Sequence, residues 1–239
     1  MPDFYARDSA APALNGSPTI ALGRILMDRD EERSWVGVLL LITVSMGMLD
    51  AISLLHFGTF TGYMTGTVIL IGIGFARLSA IATSSLVALG AFLLGALVGG
   101  RLIRRRQPSP KLVADILMGV AVLVGLAALV QGLIGGASFA VIAILGLAMG
   151  LQTSATRFAA VADMSMPAAT MILHGLAHDS RLAGGKAERA WRRLGILVGL
   201  IGGAAIGALL SAWHVWIGLA AVALLVFVAA AVLRAANRS

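Results

Sequence analysis

Residues 36–76 read VGVLLLITVSMGMLDAISLLHFGTFTGYMTGTVILIGIGFA, and the way this stretch breaks decides the fold. Its first apolar run, Val36–Phe57, exceeds the ~20 residues that carry a helix across a bilayer's hydrocarbon layer. An elbow follows in which Gly58, Gly62 and Gly66 interleave with Thr59, Thr61, Thr65 and Thr67. The next run, Gly62–Ala76, is too short to span and stops at Arg77. Irregular backbone at membrane depth is tolerated only where protein or a cavity covers it. The stretch therefore predicts one span followed by a re-entrant half-helix.

Outward from there the pattern recurs. Further apolar runs are Ala82–Ile103, Leu112–Leu133, Ser138–Thr156, Pro167–His178, Leu194–Ser211 and Trp213–Leu233, of which Pro167–His178 is again short. Two loops are basic: Arg101, Arg104, Arg105, Arg106 and Lys111 in one, Arg181, Lys186, Arg189, Arg192 and Arg193 in the other. Both belong on the cytoplasmic side. Three crossings between them would separate them, so one of the three intervening runs turns back, and Pro167–His178 is the short one. An offset of 103 positions carries Met46-Gly47 onto Met149-Gly150, and Thr67, Ile69, Leu70 and Gly72 onto Thr170, Ile172, Leu173 and Gly175. After a small insertion, Gly95-Ala96 and Gly99 match Gly203-Ala204 and Gly207. The expected fold is an all-α membrane protein: six transmembrane helices, two re-entrant half-helices, and an inverted-topology internal repeat. Residues 1–34 are expected to be a tail without a cleaved signal, carrying at most a short interfacial helix near Ile20–Met27. Residues 35–134 and 138–233 form the two repeats of one membrane domain, 35–234, with both termini cytoplasmic.

Composition agrees. Hydrophobic residues make up 59% and charged residues 12% of the 239 positions, and the mean hydropathy is +0.95. A soluble domain carries roughly a quarter charged residues. No Asp, Glu, Lys or Arg occurs from Leu194 to Leu233, and only Asp115 from Leu112 to Thr156. The net charge of +7 sits in short loops, so orientation in the membrane explains it and nucleic acid is not an expected partner. The absence of cysteine removes disulfide and thiolate chemistry.

Gly47-Met48-Leu49-Asp50-Ala51, then Thr65-Gly66-Thr67 before an apolar helix, resembles the YoaK family of bacterial integral membrane proteins, with Gly150-Leu151-Gln152 as a companion motif. The resemblance covers roughly Val36 to Leu233. Where that family carries Thr-Gly-Asn and Gln-Asn-Ala, this chain has Thr67 and Gln152-Thr153-Ser154, a hydroxyl in place of a carboxamide. The resemblance implies a multi-pass protein of the bacterial cytoplasmic (inner) membrane, of unknown function.

Asp50 is the most informative polar residue, because no other Asp, Glu, Lys or Arg occurs between Ser34 and Ala76. A carboxylate at depth costs a few kcal/mol and faces a partner or a cavity. It reads either as a coupling-ion or proton site, or as an acceptor for backbone donors at the helix end. Thr153 takes its place in the second half. The Thr and Gly elbow reads either as a substrate-facing helix N-terminus or as tight packing. Arg157 and Asp163 read as a pathway pair or as interfacial charges. His174 and His178 share a helical face but lack a third ligand in sequence, so no metal and no cofactor are expected. The Gly95, Gly99, Gly199, Gly203 and Gly207 faces read as contacts between repeats or as a seam between two copies of the chain. Trp35, Trp191, Trp213 and Trp216 fit an interfacial belt.

The expected solute or ion pathway comprises Asp50, Thr65, Thr67, Gln152, Thr153, Thr170 and His174. The expected function is a small-solute transporter or channel-like permease, with a non-transporting scaffold as the alternative. No nucleophile turn, zinc helix or second deep carboxylate is present in the sequence, so an enzyme is not expected.

Overall fold

The computed structural model describes residues 29–106, 109–136, 138–158, 169–185 and 190–237. The tail up to residue 28, and Asp163, Lys186 and Arg189 with the readings placed on them, fall outside these residues. The described helices are α1 (Arg29–Phe57), α2 (Met64–Ala76), α3 (Ala80–Arg105), α4 (Pro110–Ile134), α5 (Ser138–Phe158), α6 (Ala169–His178), α7 (Ala190–Trp213) and α8 (Val215–Ala236). A 3₁₀ turn, Arg181–Ala183, follows α6, and no strand occurs among the described residues. Six helices (all but α2 and α6) are long and apolar enough to cross a membrane. This is a multi-pass helical membrane protein.

Several helices outrun their apolar cores. α1 begins at Arg29, within the stretch expected to be tail, and α3 continues to Arg105. Glu and Arg are good helix formers, so a helix continues past the hydrocarbon into water. Local signals set other ends. Ser109 accepts from the Leu112 N–H at 3.2 Å ahead of Pro110, an N-cap with proline in the first turn. Gly58, at φ +67°, turns the chain out of α1. Large apolar side chains such as Leu93, Leu129, Ile201 and Leu224 are exposed, as lipid-facing residues must be. Trp191, Trp213 and Trp216 are also exposed, but Trp35 is packed inside rather than in the belt.

Helix directions follow from which residues meet. Along α1 and α7, Gly195 meets Leu40, Gly199 meets Val44 and Gly207 meets Met48, so these helices run parallel. Along α3 and α5, Gly146 meets Ala88, Gly150 meets Phe92 and Gly99 meets Ser154, again parallel. α4 and α8 are antiparallel, with Asp115 paired to Arg234 at one end and Gly132 against Trp216 at the other. Ile52 near the end of α1 touches Gly218 near the start of α8.

These directions put the starts of α1, α4 and α7 and the ends of α3, α5 and α8 on one face of the bundle. Arg101, Arg104, Arg105, Arg106, Lys111, Arg157, Arg192, Arg193 and Arg234 gather there. The segment holding α2 leaves and returns at the opposite face, and the segment holding α6 leaves and returns at the basic face. Neither short helix crosses.

The crossings also match between halves. A Cβ on Gly47 would strike Leu200 O and Ala204 N, and one on Gly150 would strike Phe92 O and Ala96 N. Gly203 is closed by Val44 and Gly95 by Leu147; Gly207 is closed by Met48 and Gly99 approaches Leu151. Offsets of 103 in the first helix of each half and 108 in the third convert every one of these contacts into its counterpart. The glycine faces are thus taken up inside the chain, where backbones approach closely.

Candidate functional site

The elbow between α1 and α2 folds back along the last turns of α1. Asp50 Oδ1 accepts the backbone N–H groups of Thr61, Gly62 and Tyr63 at 3.2, 2.8 and 3.3 Å. Three convergent N–H dipoles compensate the half-buried carboxylate as an anion nest does. Of the two readings left open for Asp50, acceptor of backbone donors is the one the geometry displays. Ser53 and Thr61 share a hydroxyl hydrogen bond of 3.0 Å, and Thr59 and Ser85 another of 3.0 Å. The first ties the elbow to α1 and the second ties it to α3. Thr67, fully buried, donates its hydroxyl to Phe60 O at 2.9 Å, with Tyr63 O at 3.3 Å. α2 has no side-chain cap at Tyr63. Aromatic rings of Phe60 and Tyr63 meet edge to face at 5.4 Å over Gly66, where a Cβ would strike both.

Gly62 links this elbow to the second half. A Cβ there would meet Asp50 Oδ2 at 3.1 Å and the Met149 sulfur at 3.3 Å, so a side chain at this point would have to displace these groups by a few tenths of an ångström. One turn further along α5 sits Gln152, 1% exposed, with neither Oε1 nor Nε2 hydrogen-bonded. Thr153 is half-buried, and the Thr156 hydroxyl donates to Gln152 O at 3.1 Å. Ser154 donates to Gly150 O at 3.1 Å and lies 3.3 Å from Ala96 O.

Asp50 and Thr67 are brought together through the elbow, and Met149 brings α5 against it. Thr65 is exposed. Thr170 and His174 are not part of this cluster: both are exposed on α6, which packs along α7. That short helix is held by Arg193, whose guanidinium donates to Asp179 at 2.6 Å and fills the space beside Gly175. His174 and His178 stack at 5.2 Å, and His178 Nδ1 lies 3.2 Å from Asp179. No group of three His, Asp or Glu residues suited to a metal occurs among the described residues. Arg157 is exposed at the basic face.

Sequence reasoning missed Ser53, Ser85 and Met149. Ser53 stands three positions after Asp50, on the same helical face, which is the one signal that marks it. It also missed the ion pairs Asp115–Arg234 and Asp179–Arg193.

No curated protein and no solved structure matches this chain. A family model does, over residues 38–232, which runs from within α1 to within α8 and takes in the elbow. Its description reads protein of unknown function, DUF1275. With the match running from the first span to the last, the chain belongs to the DUF1275 family.

Proposed function

We propose that this protein is a small-solute transporter or channel-like permease of the bacterial inner membrane, not an enzyme, built as two inverted halves. The motif resemblance to the YoaK family belongs to the same reading. The observation that carries it is the pairing of equivalent crossings: α1 on α7 and α5 on α3, glycine for glycine. Three spans per half give the halves opposite orientations, an arrangement recurrent among transporters and channels. The basic face is then cytoplasmic by the positive-inside rule, and both termini with it.

Within that frame the solute path runs past the α1–α2 elbow and along α5. Asp50 anchors the elbow, Thr67 closes the first turn of α2, and Gln152 offers the deep polar contact. Thr65, Thr153, Thr170 and His174 line the approaches from the two faces. Reconstitution tests this directly. Liposomes carrying the protein should take up at least one class of small solute or ion faster than protein-free liposomes. Equal rates for every solute and ion tried would overturn the transport reading.

A further inference from the structure

Gln152 is the one buried polar side chain of α5 whose polar atoms are both left unmet. Its Oε1 and Nε2 have no hydrogen-bond partner although the residue is 1% exposed. Leaving a buried amide unsatisfied is costly, and native structures rarely do so without a water, ion or ligand to complete it. The protein carries its own control. An offset of 103 makes Leu49 the counterpart of Gln152, and Leu49 is fully buried in α1 with an apolar side chain. Packing at this place in the fold is therefore satisfied by leucine; the amide is there for something else.

We propose that Gln152 is the selectivity-setting contact of the transport path, and that the solute it takes is small, uncharged and both a donor and an acceptor of hydrogen bonds, such as an amide or a polyol. This rests on the transport reading above and narrows it. A carboxamide presents one acceptor and two donors and no charge, so it completes a neutral partner with the complementary pair. An ion stripped of water needs an opposite charge or several ligands. The Asp50 carboxylate, which flanks Gly62 together with Met149 of α5, already accepts three backbone N–H groups through Oδ1. Described charged residues such as Asp115, Arg157, Arg193 and Arg234 stand at the ends of the long helices. Nothing among the described residues gathers three acidic or histidine side chains.

Urea and glycerol serve as neutral probes, and potassium chloride and sodium formate as charged ones, in stopped-flow light scattering of proteoliposomes. Wild type should speed urea or glycerol entry over protein-free liposomes and leave the salts unaffected. Gln152→Leu should cut the protein-dependent rate by roughly 10–100-fold, the effect of removing one buried hydrogen-bonding contact. Its Tm should match or exceed that of wild type, because leucine already fills the equivalent place. A Gln152→Leu protein that conducts the neutral probes as well as wild type overturns the proposal and makes the amide's partner an ordered water. A lowered Tm overturns it too, since the amide would then hold the fold. Flux of salts alone in wild type overturns this inference while sparing the transport reading; no flux of any probe sinks both.

Discussion

Asp50→Ala removes the shared acceptor of three backbone N–H groups at the elbow. An unmet buried donor costs about 1–3 kcal/mol, and these are partly buried, so the loss should be about 2–4 kcal/mol. Asp50→Asn keeps an oxygen in the same place and should cost about 1 kcal/mol, the difference between a charged and a neutral acceptor. Thermal unfolding of the two variants in detergent measures this order. Equal losses would mean that the charge itself, not the acceptor, holds the elbow. The acid side chain was legible in the sequence as an oddity, but its donors were not. They stand 11 to 13 positions away, across a turn whose course depends on Gly58 and Gly62. Asp179 is a second residue with a defined response to pH. The Arg193 guanidinium, with His178 adding to it, holds its carboxyl below the ordinary value of 3.8. A depressed folded-state pKa contributes docking above the unfolded value, and the contribution goes as pH falls through the folded one. A spin label at Ala177 should keep its mobility from about pH 8 to pH 5 and loosen only below about pH 4. Loosening already above pH 5 would mean that the Asp179–Arg193 pair does not hold the helix.

At the level of helices, the crossing glycines distinguish close packing from lipid exposure. Gly95→Leu and Gly203→Leu place a side chain into the backbones of α5 and α1, and each should cost about 3 kcal/mol or more. At Gly37 and Gly202 a Cβ meets nothing within 4 Å, so Gly37→Leu and Gly202→Leu should stay within about 0.5 kcal/mol of wild type. Unfolding in mixed micelles checks both sets, and a tolerant Gly203 beside an intolerant Gly95 would break the equivalence of the halves. The spans themselves were legible because ~20 uninterrupted apolar residues have no other use in a chain of this composition. Their partners were not. Glycine at every fourth position marks a face for close approach but says nothing about what approaches, so α1 on α7 and a seam between two copies read alike. The short helices were legible from length alone, whereas their unequal attachment was hidden. α2 is tied through Asp50, Ser53 and Ser85, while the place of Asp50 in the second half is held by Thr153.

For the whole molecule, helix direction and charge give one orientation that labelling can check on a naturally cysteine-free chain. Single cysteines at Ser79 and Ser138 should react with an impermeant reagent from outside the cell. Those at Ser109 and Ser180 should react only after the inner face is opened. Ser180 labelling from outside would mean that the α6 segment crosses after all. The basic loops made this orientation readable in sequence. That the basic helix ends share one face rests on contacts no local pattern carries, such as Asp115 with Arg234, 119 positions apart. The parallel packing of α1 on α7 has one more consequence, for how the protein is made. α1 leaves the ribosome early, yet the backbone that closes Gly47 is that of Leu200. Until most of the chain has been synthesised, Gly47 and the α1 residues that pack on α7 have no native cover. The nascent first half must therefore wait, shielded by lipid or by an insertase, and its assembly belongs to the final moments of translation.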